Sequence, residues 1–320
     1  MSLGTAGGLL TPAPPERLAG LRVLVGTFTI VYLLVRLPHL IDVMRLAEDV
    51  PERFDPVGPL VLLDQPVSTS VAAVVLAVAI LAGLAALVGW RWRISGPVFA
   101  LGVLCVLSYR NSWGQIFHTE NLVVLHLGIL AVAPAADAWS LDARRMRRAN
   151  RSTSVPQLDP RYGWPVQLMV IVVVVAYLLA GWAKLRASGL GWASGDALQN
   201  LVAHDALRKE LVGDHASPFA RLALRHDWVF PPMAALSLAV ELLAPIALAG
   251  GRLRLGWAVA AWVFHLGVLV VMGIMFPYQM FAVAFACFVA VESLPERWSR
   301  LGPVRRILDR QRVVAGATIR

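Results

Sequence analysis

Apolar segments close to 20 residues long recur along the whole chain, and they limit the possible folds more than any other feature of the sequence. A helix needs about 20 apolar residues to cross the hydrocarbon layer of a membrane, where every backbone polar group must be bonded within the protein. Of the 320 residues, 58% are hydrophobic and only 15% are charged, whereas soluble domains carry about 25% charged residues. The pattern argues against a soluble globule, a disordered chain or a fibre. It predicts an all-α, polytopic integral membrane protein.

We predict about eight transmembrane helices, three of them short, in one membrane domain over residues 18–293. Residues 1–17 are rich in proline and glycine and are predicted to form a flexible tail, and residues 294–320 are predicted to form a basic tail. Eleven tryptophans suit the aromatic belts at the two membrane surfaces. The predicted spans cover residues 19–40, 69–90, 94–108, 121–138, 164–185, 228–249, 255–275 and 278–291.

The arginines predict how the helices are oriented. Five arginines lie between residues 144 and 151, and such a basic loop is expected on the cytoplasmic side. Alternation of the helices then places the other basic turns and both termini in the cytoplasm, and residues 186–227 outside. Within that outer loop, residues 197–211 show apolar residues at helical spacing, which predicts an amphipathic helix that lies on the membrane surface or covers a cavity. These loops account for the net charge of +9, so the expected partner is the bilayer of the cell membrane and not a nucleic acid.

Four ionisable side chains fall within or at the ends of the predicted spans, where their energetic cost makes a functional role the default hypothesis. They are His126, Lys184, Glu241 and His265. The two histidines can equally be neutral side chains bonded between helices, and Glu241 can pair with a neighbouring helix. His126, Glu241 and His265 are also candidates for a polar relay that moves protons within the membrane, as in a small-solute carrier.

Lys184 stands out because the chain has only two lysines, Lys184 and Lys209, among 29 basic residues. Arginine serves wherever a fixed positive charge is enough, whereas a desolvated lysine can lose its proton near neutral pH. Trp182 and Leu185 are predicted to supply the apolar surroundings. Tyr177 lies two helical turns earlier and therefore faces the same side. The alternative interpretation is a lysine that extends from a helix end to the lipid headgroups.

The predicted topology places further polar and aromatic residues on the same side of the membrane as Lys184. We expect them to meet in one pocket of the outer leaflet that opens sideways to lipid and admits an apolar cofactor. These residues are Arg110, Asn111, Trp113, His118, Pro277 and Tyr278. The sequence has no P-loop, dinucleotide-binding glycine motif, zinc-protease motif or nucleophile elbow. Its histidines and two cysteines lack the spacing of a metal site, so no metal is expected.

Three blocks of the sequence resemble the HTTM superfamily, whose best-known member is the vitamin K-dependent γ-glutamyl carboxylase. The first block, residues 111–144, reads NSWGQIFHTENLVVLHLGILAVAPAADAWSLDAR. The second, residues 177–195, reads YLLAGWAKLRASGLGWASG, and the third, residues 264–280, reads FHLGVLVVMGIMFPYQM. Together with their flanking helices, the three blocks in this order imply the fold of the carboxylase transmembrane part over most of the membrane domain.

The resemblance implies a membrane-embedded, quinol-dependent, carboxylase-like enzyme. In the carboxylase a lysine amine deprotonates vitamin K hydroquinone, oxygen converts the quinol to an epoxide, and the strong base so formed removes a glutamate proton before carbon dioxide adds. Lys184 matches that lysine, and His118 falls near an assisting histidine of the family. The quinone pocket is predicted to be lined by Tyr177 and Trp113, which match family residues, and by Asn111, Met275 and Tyr278. The implied cofactor is a reduced quinone, vitamin K hydroquinone or menaquinol, with oxygen and carbon dioxide as co-substrates.

The sequence departs from the carboxylase at several places. Ala183 stands where the carboxylase has a second lysine, and Phe117 replaces a polar residue before the histidine. We expect no counterpart of the β-rich lumenal region that grips the carboxylase substrate, so a peptide would be recognised by residues 186–227 or by a partner protein. Two other functions therefore stay open. One is a non-catalytic HTTM membrane component in peptide maturation or immunity, and the other is a proton-coupled small-solute carrier.

Overall fold

The computed structural model describes residues 10–114, 116–117, 119–149 and 158–294. Within these residues the chain is helical, and its only β-type contact is one isolated bridge between Ala13 and Asp159. The helices are α1 (Pro15–Val35), α2 (Leu37–Asp49), α3 (Thr69–Leu87), α4 (Trp92–Asn111), α5 (Asn121–Val132), α6 (Leu141–Arg148), α7 (Pro160–Ser188), α8 (Asp196–Leu211), α9 (Pro218–Ala223), α10 (Phe230–Leu242), α11 (Gly251–Met272) and α12 (Pro277–Met280). Helix α1 thus begins inside the segment predicted as a tail.

In the part of the chain that the structure describes, five helices are long and apolar enough to cross a membrane: α1, α3, α4, α7 with the 3-10 turn that follows it, and α11. They coincide with five of the eight predicted spans, which supports a membrane protein with an all-helical membrane domain. The assignment of the termini to the cytoplasm stays a prediction.

The count of eight spans is not confirmed, because the other three segments form shorter helical pieces. Helix α5 has 12 residues and ends before Pro134, since a proline cannot continue the helical hydrogen bonding. Helix α10 has 13 residues and gives way to a 3-10 turn that contains Pro245. The segment predicted as the eighth span consists of α12 and 3-10 turns, separated at Ala282, whose φ of 59° is left-handed.

A bundle of α1, α3, α4, α5 and α7 forms the main core of the protein. Helix α3 packs along α4, α4 packs against α5, and α5 packs against α7, while α1 crosses several of them. The buried side chains of this core are mostly Leu, Val and Ala, and Tyr162 and Tyr278 are the largest of those that are fully buried. On the far side of α7, α10 and α11 add a second group of helices, and α7 is therefore the central element.

The ends of α7 are fixed by local sequence signals. Pro160 occupies the first turn, and the Asp159 carboxylate accepts a hydrogen bond from the Arg161 backbone N–H at 2.8 Å. At the other end Gly189 adopts a φ of 57°, which glycine tolerates without steric cost. Lys184 consequently lies in the last turns of α7, beside the end of α10.

The segment between α7 and α10 folds into α8 and α9, which lie against α10 and α11. The prediction of a helix at residues 197–211 corresponds to α8. Leu198 and Val202 of α8 help to line a mostly apolar cavity of about 340 Å³ between α10 and α11. Lys209 donates to the backbone carbonyl of Met272 and forms an ion pair with Asp205 at 2.8 Å, which ties α8 to the end of α11.

Candidate functional site

A cavity of about 680 Å³ lies where α5, α7, α10, α11 and α12 meet. Most of its lining is aliphatic or aromatic, and Leu125, Val175 and Leu179 of the lining are also exposed on the outside of the bundle. The cavity therefore opens on the apolar outer surface of the bundle. The polar side chains in its lining are Asn121, Tyr177, Lys184, Glu241, His265 and Gln279.

Lys184 and Glu241 form an ion pair at this cavity. The Lys184 Nζ donates to both carboxylate oxygens of Glu241, each at 2.6 Å. The Lys184 side chain is 21% exposed and the Glu241 side chain 6% exposed. From the sequence, Lys184 is a candidate base, and Glu241 belongs either to a relay or to a pair with a neighbouring helix. The structure corresponds to the pair, with Lys184 of α7 as the partner.

Tyr177 and His265 form a second polar pair on the same cavity. The Tyr177 hydroxyl and the His265 Nε2 are 2.6 Å apart, so one proton is shared between these two atoms. Trp257 packs edge-on against the Tyr177 ring at a centroid distance of 5.0 Å. The spacing of seven residues between Tyr177 and Lys184 predicts that they share a face of α7, and both do line this cavity.

The aromatic rings near the Lys184 amine are not those predicted from the sequence. Trp182 is 57% exposed and points away from the bundle. The Nζ lies instead 5.0 Å from the centre of the Trp192 ring and 5.7 Å from that of Phe264. Trp182 was a wrong choice because neighbours two residues apart on a helix face different directions. Trp192 lies in the 3-10 turn that follows α7, and Phe264 lies in α11.

Two residues of the predicted site lie in the core instead of the cavity lining. The His126 Nδ1 and the Tyr278 hydroxyl are 2.6 Å apart, and the His126 Nε2 lies 3.3 Å from the Met169 carbonyl oxygen. Both side chains are almost fully buried, at 0% and 1% exposure. This arrangement corresponds to the alternative of a histidine bonded between helices.

Three further residues predicted for the quinone pocket are outside the cavity lining. Trp113 packs against Phe54 and Tyr109. The Asn111 amide exchanges two hydrogen bonds with the backbone of Phe117, at 3.1 and 3.2 Å, and so holds the loop after α4. Met275 is 44% exposed. His118, the second predicted catalytic residue, lies outside the described residues.

Asn121 and Gln279 are not among the site residues predicted from the sequence, and both line the cavity. Gln279 carried a usable signal, since an amide inside an otherwise apolar segment is costly and invites a functional hypothesis. Asn121 carried a weaker one because it stands at the start of a helix, where asparagine is common for structural reasons.

Gly181 allows α7 and α10 to approach closely enough for the Lys184–Glu241 pair. A methyl group on Gly181 would lie 2.9 Å from Glu241 Cβ and 3.0 Å from Leu242 Cδ2. We expect Gly181→Ala to destabilise the protein by about 1–3 kcal/mol through overpacking. The control is Gly128→Ala in α5, where the added methyl group meets nothing within 4 Å and should stabilise by up to about 1 kcal/mol. Thermal unfolding in detergent measures both, and equal melting temperatures would contradict the expectation.

A comparison with protein-family models matches nearly all of the helical region described above. The family model described as the HTTM domain matches residues 11–292, which is most of the chain and includes every residue of the cavity lining. Neither the curated proteins nor the solved structures contain a match. The HTTM domain is related to the transmembrane part of the vitamin K-dependent carboxylase. The chain therefore belongs to the HTTM domain family.

Proposed function

We propose that the protein is a quinol-dependent, carboxylase-like membrane enzyme, in which the 680 Å³ cavity binds the ring of a lipid-soluble quinol. The observation that carries the proposal is the contact of Lys184 with Glu241 on the wall of an apolar cavity that opens on the apolar outer surface of the bundle. A base and its proton acceptor are thus available where an apolar substrate can enter directly from the bilayer.

The lining of the cavity suits such a ring. Small-molecule pockets typically have about 300–1,000 Å³ and are apolar, with a few polar groups that fix orientation. This cavity has that size, and its polar side chains are few among aliphatic and aromatic ones. Phe264 and Phe276 supply aromatic faces next to the polar groups. When bound, a quinol supplies an acidic hydroxyl and two reducing equivalents for oxygen.

Lys184 and Glu241 can move a proton as a pair. The proposed first step transfers a proton from the Lys184 Nζ to a Glu241 oxygen, across the 2.6 Å hydrogen bond. The amine then has a free electron pair and accepts a proton from a hydroxyl in the cavity. The ammonium so restored stabilises the negative charge left on the hydroxyl oxygen, while Glu241 keeps the first proton. The apolar surroundings strengthen the attraction between the ammonium and this negatively charged oxygen.

Glu241 therefore has a role that the sequence analysis did not give it. The earlier hypothesis relies on apolar burial alone to neutralise the lysine, but a carboxylate lies against the amine. In the proposed mechanism Glu241 holds the proton that Lys184 gives up. Tyr177 and His265, bonded at 2.6 Å, form a second group that can donate to or accept from the ligand.

The position of Glu241 and His265 also bears on the carrier hypothesis. A carrier would use these two residues in a water-filled path that does not involve Lys184. Both instead line the same mostly apolar cavity as Lys184 and Tyr177, and each is bonded to one of them. This arrangement supports chemistry at one site over a relay between two sides of a membrane.

The test is to purify the protein from membranes, identify extracted quinones by mass spectrometry, and measure quinol-dependent oxygen uptake. Glutamate-containing peptides and isotopically labelled carbon dioxide are then added to detect carboxylation. We expect a bound quinone and oxygen uptake that requires the reduced form. Quinone binding without oxygen uptake would favour a non-catalytic membrane component, and the absence of both would overturn the proposal.

A further inference from the structure

The amide of Gln279 differs from the other buried polar groups of the cavity. Lys184 is bonded to Glu241, and Tyr177 is bonded to His265. Gln279 is only 5% exposed, and its carbonyl oxygen Oε1 is buried with no hydrogen-bond partner among the described residues. The side chain lines the cavity, and rotation of its amide brings this unused acceptor to the place where a ligand would bind.

An unused buried acceptor is unfavourable, and native proteins contain few of them. The last torsion of a glutamine side chain is soft, so the carbonyl can turn toward the cavity with little strain. A ligand satisfies it only by offering a hydrogen-bond donor. The missing partner is therefore a group that carries a hydroxyl or an N–H.

We propose that Gln279 makes the cavity selective for a ring that bears a hydroxyl over the oxidised form of the same ring. This inference rests on the proposed function, because it assumes that the ligand is a quinol. The hydroxyl of a reduced ring donates to the Gln279 carbonyl. The oxidised ring offers only carbonyl acceptors and leaves the Gln279 carbonyl without a donor. Gln279 is thus a specificity-determining residue, and Lys184 carries out the proton transfer.

The test compares binding of a tail-free naphthoquinone, menadione, with that of its reduced form under anaerobic conditions, in purified full-length protein. We expect the wild type to bind the reduced form more tightly. Gln279→Met keeps the size of the side chain and removes the acceptor, so it should lower this preference about fivefold to tenfold. Binding of the oxidised form should weaken less than that of the reduced form, because the oxidised ring can accept only from the Gln279 amide N–H and never donates to its carbonyl.

Gln199→Met is the matched control, because Gln199 is half-buried like a residue of a packed surface and its amide donates to Asp227, outside the lining of the cavity. Gln279→Leu serves as a second acceptor-free variant if the methionine variant does not fold. An unchanged ratio of the two affinities in a folded variant would overturn the role of Gln279 and leave the proposed function intact. Failure of the wild type to bind either form would overturn both.

Discussion

Lys184→Arg is expected to lower quinol-dependent oxygen uptake by about a hundredfold or more, which is the usual loss when a general base is removed. Arginine keeps the positive charge and can still pair with Glu241, but its guanidinium cannot give up a proton in a protein. The variant should therefore fold and retain the ion pair while losing the proton acceptor. Oxygen uptake by purified protein in lipid nanodiscs measures the effect, and quinone binding is measured in parallel.

The matched control for this variant is Lys209→Arg, which changes the only other lysine of the chain. Lys209 bonds to Asp205 and to the Met272 carbonyl, outside the lining of the proposed catalytic cavity. The Lys209→Arg variant should keep oxygen uptake within about twofold of the wild-type rate, because most substitutions away from a site have small effects. Lys184→Arg with full activity, beside an active control, would show that Lys184 is not the base.

The membrane helices were predictable to the extent that they depend on long apolar runs. The start and end of α7 add signals that the sequence displays directly, namely Asp159, Pro160 and Gly189. The failure at the last predicted span has a physical reason. Its residues are largely apolar and resemble a span in composition, but Tyr278, residues 284–288 and Val291 are buried in the main core, and Ala282 interrupts the helix with a left-handed φ. Apolar composition alone does not distinguish burial in protein from burial in lipid.

The site was predictable where it depends on spacing along one helix. Tyr177 and Lys184 share a face of α7, and the heptad spacing is enough to show it. The Lys184–Glu241 pair joins residues 57 positions apart and depends on the close approach of α7 and α10 at Gly181. The neighbours Tyr278 and Gln279 point to different places, the core and the cavity, because α12 is one short turn whose orientation is set by packing.

Glu120→Gln is expected to destabilise the protein by about 3–5 kcal/mol, the usual cost of removing one member of a buried ion pair. The Arg110 Nη1 lies 3.0 Å from the Glu120 Oε1 and 3.1 Å from the Tyr32 hydroxyl, and Tyr32 donates to the same carboxylate oxygen. The side chains of Arg110 and Glu120 are 6% and 9% exposed. The substitution leaves the guanidinium buried without a counter-ion, and it also weakens the segment that leads to Asn121 in the cavity lining.

Thermal and denaturant unfolding in detergent measure this loss. The control is Asp42→Asn in the exposed pair with Arg45, where both side chains are more than 60% exposed. That change should stay within about 0.5 kcal/mol, because water screens the pair. Replacing Arg110 and Glu120 together by methionine should recover most of the stability lost in Glu120→Gln, since the uncompensated charge is then gone.

The dependence on pH provides a second, independent measurement of the same pair. Burial alone would raise the pKa of Glu120, but hydrogen bonds from Thr119 and Tyr32 and the charge of Arg110 outweigh it and hold the pKa below 4.5. Because the pKa is lower in the folded state, the pair contributes its full stability above pH 4.5 and loses it as the pH falls through the folded-state pKa. Wild type should therefore lose more stability than Glu120→Gln between pH 6 and pH 3, by roughly 1 kcal/mol or more. Parallel acid profiles for the two proteins would mean that Glu120 is not held as a carboxylate by Arg110.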